Sequence, residues 1–505
     1  MDNMLILQII IGICFTGIVV TLFLESKDYL TYSLLFLFII GISSYFLNKD
    51  LFTDPDIADN IILAIDWNVI VFLVCLFSIV EILNDQKVFH EIALKIVNRF
   101  HNHPRKMFYA LSITSTFIAT IIEDLSVAIV FVPIVIEACK KMRIDPTPYL
   151  FGVTICINLA STLTPFGSAE NIIIANHFGL SLHWHLIYLG IYFLVGLAIT
   201  LFFLDIFVLK GYIKNFEYSQ KSAIPGYFDP NEDVGMSEVH ENPPMIDKML
   251  HRATLQDIKF KYLQEGPKGG VLQQAELIQI PESAHILDIK IEKSVFRKNI
   301  VGLLIFVVIL VTISNIIIAG VLGLLLFLFL NPVEIFPGKR PEPSVSTYLH
   351  KIDAKLIYFF IILFLTVFFM GKAGLTNIIE NLVESVSHHN TFVLAIGLLI
   401  ITSLLSGLLD DAPITILFLP IIQDLINTGL YSDNALFIAF TLGINLGGNF
   451  LPQGAACDMM TLELARKNGV ENFTYKSLTI VGGLFALLHI LLGIGYIYIF
   501  TELII

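Results

Sequence analysis

Two pairs of adjacent carboxylates, Glu123-Asp124 and Asp410-Asp411, lie inside apolar runs of this 505-residue chain. Their settings, TIIEDLSVAIVFVP (120–133) and GLLDDAPITILFLP (407–420), match at an offset of 287 positions. Charges at such depth are expensive, so they mark a path for ions or protons. No Lys or Arg occurs between 107 and 139 or between 391 and 465. Four acids without a fixed counter-charge must therefore be neutralised by protons or by a cation. Na+ and H+ compete for a carboxylate, which suits exchange. The same group could bind a neutral hydroxylated solute and use protons as drive.

A second set of polar residues accompanies them. Asn158 and Asn445 sit seven positions before Pro165 and Pro452, at the same offset, with Gly167 and Gly454 following. Amide and freed carbonyl oxygens suit hard cations. Asp124, Asp411, Asn158 and Asn445 are the expected ligands of a possible Na+. Ser126, Thr162, Thr164 and Asn449 should complete an ion or substrate site. For Asn158 and Asn445 an interhelical hydrogen bond is the alternative to ligation. Glu170 and Asp458 read as residues of a cavity rim. Cys14, Cys75, Cys139, Cys156 and Cys457 lack a CxxC spacing and read as buried thiols.

The elements that must carry these residues are membrane helices. The chain is 56% hydrophobic and 14% charged, with a mean hydropathy of +0.80. Soluble domains run near ~25% charged, so an all-α, polytopic membrane protein is expected. Apolar spans fall at about 5–24, 30–47, 61–83 and 186–209, then 297–313, 316–332, 354–371 and 478–501. The first of these reads as a helix rather than a removed signal, since no basic stretch precedes it. The run 107–139 is flanked by Lys95, Arg99, Arg105 and Lys106, and by Lys140, Lys141 and Arg143. Basic residues favour the cytoplasm, so both ends share one side and the segment is a re-entrant hairpin with its acids at the tip. Proline, glycine and hydroxyl residues interrupt 149–176, which is a broken helix facing protein or a wet cavity.

Residues 1–210 thus form one repeat, and 291–505 a second with hairpin 391–427 and broken helix 435–459. Each has about five spans plus a hairpin, and an odd number of crossings inverts the second copy. The intervening 211–290 has no partner in the repeat and reads as a soluble cytoplasmic insertion. A duplicated, inverted hydrophobic unit with interrupted helices is the pattern of a secondary transporter.

At these residues the chain resembles the ion transporter superfamily, in the branch of arsenite permeases, Na+/H+ antiporters and the P protein, with its citrate transporter-like domain. The branch's hairpin pattern S-A-F-L-D-N-V-T-T-x-x-L-x-x-P resembles Ala119 to Pro133 and, more closely, Ser406 to Pro420. Its N-x-G-G-x-x-T-x-x-G pattern resembles Asn158–Gly167 and Asn445–Gly454. The resemblance implies a transport domain with two hairpins, a scaffold domain that often dimerises, and elevator-like movement. The chain departs from the pattern at Glu123-Asp124, at Asp411 and at Pro413.

The expected function is cation (Na+)/proton antiport, with arsenite efflux or organic-anion transport as the alternative, in the plasma or inner membrane. The expected partners are a small ion or solute and the lipid bilayer; Na+ and H+ are coupling ions, and no other cofactor is expected. There is no GxxxxGK[ST] loop for ATP, no basic arm for nucleic acid and no Gly-x-Gly-Asp of an intramembrane protease, so an enzyme is not expected. His101/His103 and His183/His185 read as surface histidines.

Overall fold

A computed structural model describes residues 3–22, 28–53, 56–142, 144–212, 292–334, 340–378 and 390–501. The expected insertion lies outside these residues apart from 211–212. The described residues are all-α, with one isolated antiparallel bridge between Val333 and Glu342.

In the first half, α1 is Asn3–Leu22, α2 Tyr29–Leu47, α3 Lys49–Thr53, α4 Ile57–Leu63, α5 Trp67–Asp85 and α6 Val88–Phe100. The hairpin is α7 (Pro104–Ala119) and α8 (Asp124–Met142). Then come α9 (Thr147–Ala160), α10 (Ala169–Phe178), α11 (Leu182–Tyr188) and α12 (Gly190–Phe203), the last running on as a π-helical turn at Leu204–Leu209. In the second half, α13 is Lys293–Thr312, α14 Ile316–Leu330, α15 Val345–Leu349 and α16 Ala354–Lys372. The second hairpin is α17 (Thr391–Leu409) and α18 (Asp411–Asn427). It is followed by α19 (Asp433–Gly447), a 3-10 turn at Pro452–Gly454, α20 (Ala456–Lys467) and α21 (Tyr475–Ile499).

Helix starts repeat at the 287-residue offset for α2/α14, α5/α16, α7/α17, α8/α18 and α10/α20. One local cause is visible at α5 and α16. Asp66 accepts from the Asn68 and Val69 amides at 3.1 and 3.2 Å, and Asp353 accepts from the Lys355 amide at 2.9 Å. Each carboxylate caps free N–H groups of a first turn.

Eight described helices are long and apolar enough to cross a membrane. Large apolar side chains such as Ile13, Phe38, Leu304 and Leu491 are each over 60% exposed, which fits lipid contact. This is an integral, multi-pass membrane protein. Lipid offers no hydrophobic drive between helices, so packing rests on close approach of small residues. Gly320 meets Phe72 and Cys75 where α14 lies on α5, and Gly323 meets Ile79 of α5 and Phe306 of α13.

The two halves are interlocked by exchanged contacts. α5 packs on α14, and its counterpart α16 packs on α2, the counterpart of α14. Likewise α8 packs on α20, while α18 packs on α10. Each returning hairpin helix is thus seated against the broken helix of the opposite half.

α7 and α9 run parallel. Phe108 lies beside Tyr149, Gly152 meets Phe108 and Ser112, and Gly167 faces the Ala119 carbonyl. The Tyr149 hydroxyl donates to the Pro104 carbonyl at 3.1 Å, so α9 starts where the hairpin starts. α17 and α19 repeat this: Gly443 meets Thr402, Gly447 meets Ser403 and Ser406, and Gly407 meets Phe450. Both hairpins therefore turn back at the depth where the adjacent helix breaks.

Candidate functional site

The first tip is a four-residue turn, Thr120 to Glu123, ahead of α8. Glu123 is 5% exposed and caps that helix, accepting from the Ser126 amide at 3.0 Å and the Ser126 hydroxyl at 2.9 Å. Asp124, half-buried, accepts from the Leu125 amide at 2.7 Å, and its other oxygen lies 3.5 Å from the Ser161 hydroxyl. The tip rests on the break of its own half. The Asp124 amide donates to the Gly167 carbonyl at 3.2 Å, and the Thr164 hydroxyl donates to the Thr120 carbonyl.

The second tip is tighter. Asp410 caps α18 through the Ala412 amide at 3.1 Å and takes φ 78°, ψ 147°, a backbone region that side chains rarely enter. Asp411 lies against the Ser406 hydroxyl, which is also 2.7 Å from the Ile444 carbonyl. A Cβ on Gly448 would come within 3.4 Å of the Asp411 carboxylate. Ser161 and Gly448 occupy equivalent places in the repeat, so each tip acid faces the same point of its break.

The breaks cross between the halves. Asn158 donates to Asn449 Oδ1 at 2.9 Å and to Asp458 Oδ1 at 3.1 Å, while its own Oδ1 accepts from the Cys457 thiol at 2.7 Å. Asn445 donates to Asn171 Oδ1 at 2.7 Å and to the Thr441 carbonyl at 2.7 Å, and its Oδ1 accepts from Ser168 at 3.4 Å. Both asparagines make the interhelical bonds that stood as the alternative to ion ligation. Glu123, Asn158, Thr162, Thr164, Asn445, Asn449 and Asp458 are all less than 10% exposed.

The acids reach this crossing through its polar partners. Asp124 lies 3.5 Å from the Ser161 hydroxyl, Asp411 takes the Ser406 hydroxyl, and Asp458 takes the Asn158 amide at 3.1 Å. Among the described residues no group of three or more His, Cys, Asp or Glu is arranged to hold a metal ion. The site offers instead single carboxylates beside amide, hydroxyl and carbonyl oxygens.

Several expected ligands donate their hydroxyl protons to oxygens of the protein. Thr162 donates to the Leu159 carbonyl at 2.8 Å, closing the last turn of α9, and Thr164 is used on Thr120. Ser126 serves the Glu123 cap. Asp458 does not sit at a rim: it is 1% exposed and takes a 2.5 Å bond from the Thr154 hydroxyl besides that from Asn158. Thr154 carries no ligand signal in its spacing, although it lies in the repeat opposite Thr441, as Asn171 lies opposite Asp458. All five cysteines are free and buried, as expected.

A family model described as citrate transporter (CitMHS) matches residues 10–445. The chain belongs to this citrate transporter family. It is 21% identical over 443 residues to the 46 kDa membrane protein of Mycobacterium leprae, covering 86% of this chain and 87% of that one. It is 21% identical over 485 residues to the P protein of Mus musculus, covering 86% of this chain and 54% of that one. A shorter match, 25% over 118 residues, spans 23% of this chain and 21% of the putative transporter arsB of Dictyostelium discoideum. As a member of the citrate transporter family the chain is a secondary transporter and not an enzyme.

Proposed function

We propose that this family member is a cation/proton antiporter that exchanges H+ for a cation, Na+ first among them, at the hairpin-tip carboxylates. The observation that carries the reading is the pair of matched hairpin tips, Glu123-Asp124 and Asp410-Asp411, each held against the break of its own half, in segments that hold no Lys or Arg between 107 and 139 or 391 and 465. Uncompensated acids at membrane depth attract a cation or a proton, and the two are alternative occupants. Helix ends at the tips and breaks add free backbone groups around the same point. The basic flanks support a cytoplasmic side for the 211–290 insertion and for Lys140/Lys141, in a plasma or inner membrane. Dimerisation through the remaining helices belongs to the same reading.

Family membership favours a second reading, transport of a citrate-like organic anion with Na+ or H+ as coupling ions. The acidic tips would repel such an anion unless cations or protons neutralised them. Proteoliposomes tested with Na+, K+, Li+, citrate and arsenite, with an internal pH dye, separate the readings. Antiport predicts alkali-cation-driven proton efflux with no added anion. Proton movement that requires citrate would replace antiport with the second reading.

A further inference from the structure

The contact between the halves is made twice, and the two copies differ most in the surroundings of one atom. Asn158 and Asn445 are equivalent positions, as are Asp458 and Asn171. Asn445 donates to Asn171 Oδ1, and Asn158 donates to Asp458 Oδ1. Beyond this the copies part. The far atom of Asn171, Nδ2, donates to the Ser161 carbonyl and to the Thr164 carbonyl at 3.3 Å. The far atom of Asp458, Oδ2, is buried and has no partner among the described residues.

The imbalance within Asp458 is pronounced. Thr154 at 2.5 Å, Asn158 at 3.1 Å and the Cys457 thiol at 3.7 Å all converge on Oδ1. Nothing meets Oδ2, in a side chain that is 1% exposed. A buried carboxylate oxygen left bare is costly, so the site requires an occupant. The occupant's chemistry follows from the surroundings. The bare atom is itself an oxygen of a buried carboxyl group, which favours a cation over an anion. The amide oxygens of Asn158 and Asn449 each accept one hydrogen bond and keep a second lone pair of the kind that suits a hard cation, while Asn449 Nδ2 is a buried donor without a partner among the described residues. The absence of a three-acid cluster among the described residues disfavours a tightly held transition metal.

We infer that Asp458 is a fixed ligand of the transported alkali cation, making the crossing a one-sided cation site because the equivalent position is filled by neutral Asn171. This rests on the antiport reading, and adds to the tip acids a specificity-determining residue that does not belong to a hairpin. Asp458→Asn makes the two crossings alike while keeping the hydrogen-bonding shape of the side chain.

The test uses the full-length protein, purified for thermal unfolding in NaCl against N-methylglucamine chloride, and reconstituted for Na+/H+ exchange. Wild type should be stabilised by Na+. Asp458→Asn should unfold at the wild-type temperature without Na+, lose the Na+ stabilisation, and show a KM for Na+ raised by about tenfold or more. Asp458→Glu keeps the charge on a longer arm and should exchange with an altered Na+/Li+ preference. Should Asp458→Asn not fold, an unaltered Na+/Li+ preference in Asp458→Glu overturns the inference. Wild-type KM and Na+ stabilisation in Asp458→Asn overturn it as well, leaving antiport standing. A wild-type protein without alkali-cation exchange overturns both.

Discussion

Asn158 of the first half donates to Asp458 of the second at 3.1 Å, joining two broken helices 300 residues apart in the chain. The same amide also holds Asn449 and receives the Cys457 thiol. Asn158→Ala leaves Asn449 Oδ1 without its partner, while Asp458 Oδ1 keeps Thr154 and the Cys457 thiol keeps its 3.7 Å contact to Asp458. One orphaned acceptor costs about 1–3 kcal/mol, so a loss in that range is expected. Thermal unfolding in detergent checks this; an unchanged midpoint would mean that water takes over these bonds.

Gly454 is the pivot of the second break. A Cβ there would stand 2.8 Å from the Gly448 carbonyl oxygen and 2.9 Å from Gly407 Cα, both backbone atoms that cannot swing aside. Gly454→Ala should cost about 1–3 kcal/mol and shift the second tip against its break. Transport activity per folded molecule should fall, while Gly41→Ala, with nothing within 4 Å, should behave as wild type.

Asp410 combines strain and capping. Its φ of 78° with ψ 147° costs about 1–3 kcal/mol for a residue bearing a Cβ. Its cap on the Ala412 amide returns about 0.5–2 kcal/mol. Asp410→Gly relieves the first and loses the second, so its stability should stay within about 1 kcal/mol of wild type. Asp410→Ala keeps the strain without the cap and should be the less stable of the two. Melting curves of both variants, run side by side, give the order.

The parts of this fold that were legible in the sequence are those governed by local chemistry. Asp66 and Asp353 mark helix starts because a carboxylate can cap its own next turn. Glu123-Asp124 and Asp410-Asp411 mark helix interruptions because acids do not continue an apolar helix cheaply. The crossing was not legible. An offset of 287 pairs Asn158 with Asn445, yet their partners are Asp458 and Asn171 of the opposite halves, and no local spacing encodes that exchange. For the same reason Asp458 read as a rim residue, and no spacing showed that the Thr162 and Thr164 hydroxyls donate to backbone carbonyls. The correspondence of α2 with α14 is faint in sequence, because a helix facing lipid needs little beyond apolar character.

The central claim is that the tip acids of both halves serve one exchange site. Its most direct test is Na+-driven proton efflux from proteoliposomes containing wild type, Asp124→Asn, Asp411→Asn or the double variant, each checked for folding by size-exclusion profile. Wild type should acidify the medium on Na+ addition, and each single substitution should abolish that signal while the profile stays unchanged. Wild-type exchange rates in the double variant would contradict the account.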